Sequence, residues 1–128
     1  MTCVVDASSV VAYLLGEASE AERRGMLDDP HSPSLVDIEA TQTLRGLLRG
    51  SKIDPATAEL GCSELAQLGL RRHPDAPLLR RAWELRDICS VYDALYVALA
   101  EALDAPLLTR DTPLAAGVGA LIDVVVSE

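Results

Sequence analysis

Acidic residues at the ends of apolar runs are the first feature of this sequence that could do chemistry. Asp6 closes the run TCVV (residues 2–5), and Asp111 follows PLLT (residues 106–109) and Arg110. Each precedes a stretch with helical spacing, so each stands where a strand gives way to a helix. Strands of one parallel sheet have their carboxyl ends along one edge, where ligands bind, and there the two acids would meet. Either one alone also suits a helix N-cap, whose oxygen accepts from free backbone amides. Asp93 heads SVYDALYVALAEAL, in which every side chain from Ala94 to Ala100 is apolar or aromatic, the pattern of a helix buried nearly all round. Ser90 and Asp93 have the spacing of a capping box, a role that leaves one carboxylate oxygen free. Asp37 and Glu39 flank, on opposite sides, the apolar stripe Val36, Ala40, Leu44 and Leu47 of another helix. Helical phase does not choose between them, and both also fit as solvated first-turn acids favoured by the helix dipole.

Carboxylates brought to one rim repel by roughly 1–4 kcal/mol per pair at about 4–5 Å, depending on the dielectric. Such a cluster calls for a cation, or for one member to take up a proton. An all-oxygen donor set suits Mg²⁺ or Mn²⁺, which can activate water and bridge a phosphate. Other constellations are weak. The motifs GxSxG, GxxxxGKS/T and GxGxxG do not occur. His31 and His73 lack metal-ligand spacing and read as structural. Cys3, Cys62 and Cys89 are odd in number and form no CxxC pair, so they read as reduced thiols packed as small core residues. Leu79 and Trp83 share a helix face and are expected to pack inward, while Arg23-Arg24, Arg71-Arg72 and Arg80-Arg81 read as solvated pairs.

The elements that must position these acids follow from the pattern along the chain. Strands are expected at residues 2–5, 70–73, 106–109 and 121–126. Helices are expected over 7–16, 18–27, 34–49, 55–69, 77–86, 91–103 and 111–116, with DDPHSP (28–33) as a break. Asp54 and Pro55 supply an N-cap and a first-turn proline, and Gly50 a C-terminal stop. This alternation predicts a three-layer α/β/α sandwich around a central parallel sheet of four to five strands. With no repeat, linker or low-complexity segment, residues 1–128 read as a single domain.

Composition agrees with that class. Apolar residues make up 49% and charged residues 24% of 128, with one Trp, three Tyr and no Phe, so Val, Leu and Ala must supply the core. No uncharged apolar run approaches the ~18 residues of a membrane span. MTCVVDASS lacks the basic start of a signal peptide, so a cytoplasmic protein without membrane contact is expected. The net charge of -9 counts against a nucleic-acid binder, because phosphate contacts need a basic face. Acids gathered at a metal site would account for part of it.

VVDASSVVAYLL, SPSLVDIEATQTL and YDALYVALAEALDAPLLTRD, in that order and spacing, resemble a PIN-domain ribonuclease, and most of all a VapC-type toxin of a bacterial type II toxin–antitoxin pair. The resemblance covers essentially the whole chain, and YDALYVALAE followed by LLTRD is its most specific part. It implies a PIN-like fold and four acidic positions that hold the metal and carry catalysis, falling on Asp6, Glu39, Asp93 and Asp111. It selects Glu39 over Asp37 because Glu39 lies six residues after Pro33. Ser8 and Thr109 match small hydroxyl positions that support the metal or its waters; Arg110 and Arg86 are candidates for phosphate contact. Two departures concern substrate contacts: Gln42 stands where the family often has Asn, and Thr112 and Pro113 where a basic residue often follows the last Asp.

The implied function is a Mg²⁺- or Mn²⁺-dependent endoribonuclease that leaves a 3′-hydroxyl and a 5′-phosphate. Its substrate would be single-stranded or looped RNA, tRNA and rRNA among the candidates. The resemblance also implies a homodimer and a VapB-like antitoxin that blocks the acidic groove with a basic or Arg-bearing segment. A receiver-type phosphoacceptor domain shares the length and the acidic rim. It needs an acidic pair at the first strand end and a Lys at a later one, whereas Val5 precedes Asp6 and Lys52 lies between helices. A catalytically silent PIN-fold binding module would hold metal without cutting RNA.

Overall fold

β-Branched residues favour extended backbone, and the chain begins with them: Thr2–Val5 forms strand β1, buried over its last three residues. The structure, a computed structural model, describes residues 1–127. Helices α1 (Ala7–Leu14) and α2 (Glu20–Leu27) lead to β2 (Asp29–Pro33), and α3 (Leu35–Arg49) and α4 (Pro55–Gln67) lead to β3 (Arg71–His73). A 3-10 turn (Ala76–Leu78), α5 (Leu79–Glu84) and α6 (Val91–Leu103) lead to β4 (Leu107–Thr109), and α7 (Thr112–Val118) to β5 (Val124–Val126). All neighbouring strands are parallel, in the order β3-β2-β1-β4-β5, which is the expected α/β/α architecture.

That order places the functional edge. The chain builds from β1 through β2 to β3, then returns to the other side of β1 for β4 and β5. The direction of building reverses between β1 and β4, and open parallel sheets bind ligands outside the carboxyl ends of their strands at such a point. Val4 pairs with Leu107 and Val5 with Leu108, and the Asp6 amide donates to the Leu108 carbonyl (2.9 Å). The two acid-bearing strand ends therefore lie level with one another.

Helix α6 runs over 91–103 as expected, and Ala94 through Ala100 are all buried. It packs on β1, β2 and β4. Tyr96, at 0% exposure, joins Val4, Val5, Val10, Leu44, Leu85 and Leu107 at the centre of the core, so one aromatic residue accompanies the aliphatic set. Helix α2 packs on β1 and β2, and at Gly25 it leaves no room for a Cβ beside Leu108 and Cys3.

Four expectations need correction. DDPHSP is not a break: residues 29–33 form an interior strand despite Pro30 and Pro33. Proline withholds a ladder donor, and side chains make up the attachment here. Ser32 Oγ donates to the Val5 carbonyl (2.5 Å), Thr2 Oγ1 to Asp29 Oδ2 (2.5 Å), and His31 Nδ1 shares a hydrogen bond with His73 Nε2 (2.8 Å). The two histidines, unrelated by spacing, thus staple β2 to β3. Leu79 and Trp83 do not pack inward. They are 47% and 62% exposed, because α5 turns Ala82 to the core instead, and the Arg86 guanidinium lies over the Trp83 ring at 4.5 Å. Cys62 is exposed; of the three thiols only Cys3 is in the core, with Cys89 half-buried. Arg72 and Arg81 are not free solvated groups but are held by Asp37 and Glu101.

A Cβ on Gly25 would overlap Leu108 Cδ1 and press on Cys3 Sγ, both in the packed core. Gly25→Ala gains helix propensity but must move Leu108, and the overpacking outweighs the gain, for a net loss of about 1–2 kcal/mol. A lower urea midpoint at unchanged slope is the expected result.

Candidate active site

Asp6 follows directly from β1 and caps α1, its Oδ1 accepting from the Ala7 amide (2.7 Å). Its Oδ2 accepts from Thr109 Oγ1 (2.7 Å), at the end of β4. Thr109 Oγ1 in turn accepts from the Asp111 amide (3.0 Å), and Asp111 Oδ1 caps α7 by accepting from the Leu114 amide (2.9 Å). Both acids are therefore helix caps, and each cap orients a carboxylate. Ser8 Oγ accepts from the Arg110 amide (3.3 Å), tying the first turn of α1 to the same loop.

Asp93 stands in the first turn of α6. Ser90 Oγ accepts from the Asp93 amide (3.1 Å). Only this half of the capping box forms, whereas Ser19 and Glu22 form both halves at the start of α2. Of the two acids on α3, Asp37 turns away: both its oxygens accept from Arg72 Nε (3.1 and 3.0 Å). Glu39 turns towards Asp6. The two line one cavity of roughly 410 Å³, together with Ser8, Leu35, Gln42 and Tyr92. Glu39 Oε1 accepts from Tyr96 Oη (2.7 Å).

The electrostatics link all four acids. Burial pushes the Asp6 carboxyl up to about 6; Thr109 opposes the rise, and the charges of Asp93 and Glu39 add to it. Burial also raises Asp93, helped by Asp111, and raises Glu39, where the Tyr96 hydrogen bond opposes and Asp93 adds. Among the described residues none of the four takes part in an ion pair. Nor do any three His, Cys, Asp or Glu side chains among them form a ready-made metal cage. An all-carboxylate set without basic partners fits a hard divalent cation that keeps several waters and takes few protein ligands directly.

The two arginines expected at the substrate are engaged elsewhere. Arg110 forms a two-pronged ion pair with Glu22 (2.9 and 2.7 Å) and also donates to the Glu17 carbonyl (3.0 Å). Glu22 is completely buried, and its charge needs that partner. Burial pushes the Glu22 carboxyl up, but the hydrogen bonds and charge of Arg110, together with the Ser19 amide, hold the group down at about 2. Arg86 stacks on Trp83 and donates to the Trp83 carbonyl (3.0 Å). Sequence reading missed Tyr96 and Tyr92, although YDALY places both beside Asp93.

This architecture, a sheet reversing at β1 and β4 with acids gathered at that edge, is matched by the family description "PIN domain" over residues 3–117, and the chain belongs to the PIN-domain family. The chain is 43% identical over 121 residues to the ribonuclease VapC1 of Mycobacterium tuberculosis, covering 91% of each protein. It is 39% identical over 111 residues to the VapC ribonuclease Mb0985 of Mycobacterium bovis, covering 87% of each. Within the PIN family it is a VapC-type member. The crystal structure of PAE2754 from Pyrobaculum aerophilum shares the fold, with a TM-score of 0.69 and 26% identity over 96% of this chain and 92% of that one.

Two outcomes follow. Arg110→Ala leaves Glu22 buried and unpaired, and stability is expected to fall by about 3–5 kcal/mol; chemical denaturation measures it, and any lost activity would track the lost fold. For Asp6 the sign is opposite. Its folded pKa lies above the ordinary carboxylate value, so folding favours the protonated form, and its contribution to stability is lost as pH rises from about 4 through about 6. In chelator at pH 7.5, Asp6→Asn should therefore be more stable than the unsubstituted protein by ~1–3 kcal/mol, the gap closing by pH 4. Thr109 Oγ1, which already accepts from the Asp111 amide, can also accept from the Asn amide, at the cost of the bond that its own proton donates to Asp6.

Proposed function

We propose that this protein is a Mg²⁺- or Mn²⁺-dependent endoribonuclease, the toxin of a toxin–antitoxin pair. The observation that carries this reading is the chain of like charges at the switch point of the sheet, in which Asp6, Glu39 and Asp93 repel one another and Asp111 repels Asp93, with no ion-pair partner for any of them among the described residues. The VapC ribonucleases it resembles along most of its length support the RNA phosphodiester as substrate.

Asp6, Asp93 and Asp111 would hold the cation, directly or through water, with Glu39 completing the set or orienting the attacking water. When bound, the metal lowers the pKa of water and neutralises charge on the scissile phosphate. Thr109 keeps Asp6 facing the site and, with Ser8, supports the hydrated side of the cluster. Leu35 and the exposed Ile38 and Tyr92 give the cavity an apolar wall, on which an unpaired base can lie. That wall favours single-stranded or looped RNA, tRNA and rRNA included. The acidic groove suits a VapB-like antitoxin that inserts an Arg-bearing segment, and the protein would act as a homodimer in the cytoplasm. Among the described residues no helix is long and apolar enough to cross a membrane.

The test is cleavage of a pool of structured cellular RNAs in Mg²⁺ or Mn²⁺ and in chelator. Cleavage is expected only with metal, and Asp6→Asn or Asp93→Asn should reduce it at least ~100-fold, the scale of losing a main electrostatic contributor. Cleavage that persists in chelator, or at full rate in both variants, sinks the reading. Metal binding with no cleavage of any RNA would make the protein a silent binding module.

A further inference from the structure

Tyr96 is the largest of the completely buried side chains, yet its hydroxyl reaches out of the core to Glu39 Oε1 at 2.7 Å. It follows Asp93 by three residues and so shares its face of α6. A phenylalanine would fill the same space without bringing a hydroxyl into the interior, which is unfavourable unless bonded. The hydroxyl is therefore explained by its partner and not by packing. Burial and the neighbouring Glu39 keep the phenol protonated, so Oη holds its proton towards Oε1 and leaves Oε2 free.

The four acids are not equally in need of such a hold. Asp6 and Asp111 are short side chains fixed by the caps they make, and Asp93 is equally short, with its backbone amide bonded to Ser90 Oγ in the first turn of α6. Glu39 is longer, has more rotamers to lose, and makes no cap on α3. Resting on the reading of these acids as a cation site, we propose that Tyr96 is a positioning residue whose hydroxyl holds the Glu39 carboxylate towards Asp6 and Asp93. One helix, α6, then supplies an acid of its own and orients the acid of another.

Mn²⁺ binding to chelator-stripped protein, followed by calorimetry, tests this. Tyr96→Phe should weaken Mn²⁺ about tenfold, as loss of an outer-shell partner does, while its unfolding midpoint in chelator stays close to the unsubstituted value. Glu39→Ala should weaken it at least as much, and the double variant no further than Glu39→Ala alone. RNA cleavage by Tyr96→Phe should recover when Mg²⁺ is raised about tenfold, a rescue that a purely structural defect would not show. Unchanged Mn²⁺ affinity in Tyr96→Phe, or effects that multiply in the double variant, overturns the inference alone. No Mn²⁺ binding by the unsubstituted protein overturns the cation site and this inference together. Should Tyr96→Phe fail to fold, the ring resonances of Tyr96, assigned with Tyr13→Phe and Tyr92→Phe, serve instead. They should shift on Mg²⁺ saturation in the unsubstituted protein and stay fixed in Glu39→Ala; resonances that ignore Mg²⁺ overturn it.

Discussion

The structure depends on where its few positive charges go. Arg110 neutralises Glu22, which has no contact with water, and so joins the start of α2 to the end of β4. Arg72 holds Asp37 and also donates to the carbonyls of Leu65, Leu68 and Leu70, closing the end of α4 against α3. Arg81 ties α5 to α6 through Glu101. Each pair removes an acid from the uncompensated set and fixes an element in place. What remains at the switch point is a group of carboxylates with one another for neighbours. A buried charge without a partner ordinarily costs stability, and at Asp6 an amide and a hydroxyl offset that cost only in part, leaving the carboxyl raised to about 6.

Much of this was legible in the chain. The apolar run after Asp93 marks the limits of α6, and the acids after TCVV and PLLT mark where β1 and β4 give way to helices, because both signals are local. Capping by Asp6 and Asp111 does not preclude a second role. A carboxylate has two oxygens; one serves the helix in each, and the second oxygen of Asp6 accepts from Thr109. Asp37 and Glu39 were not separable by phase, since the difference lies in Arg72, thirty-five residues away from Asp37.

The misreadings share a cause. DDPHSP looked like a break because proline removes backbone donors, while the hydroxyl and imidazole groups that hold β2 find their partners on other strands. Helix spacing predicts Trp83 inward, yet α5 is a six-residue helix whose buried position is Ala82. Arg110 stands beside the acids in sequence, and its ion pair with Glu22 is not legible there. Its partner, Glu22, already had a local role in the capping box with Ser19, so nothing in the chain advertised a second bond. Local pattern carries local structure, and long-range pairing of polar side chains is what it leaves out.

A chain of net charge -9 offers a polyanion no long-range attraction. On the proposed reading the sign is inverted only at the switch point, where a divalent ion becomes the largest local charge. Recognition of RNA then rests on short-range terms: the cation at one phosphate and an apolar wall of Leu35, Ile38 and Tyr92 beside it. Few phosphates would be neutralised by protein side chains, so the salt dependence of RNA affinity stays shallow. A basic polypeptide entering the same groove meets the whole acidic surface as well as the site. The charge that weakens contact with RNA thus favours an inhibitor of opposite sign, and one distribution of carboxylates can serve both catalysis and its restraint.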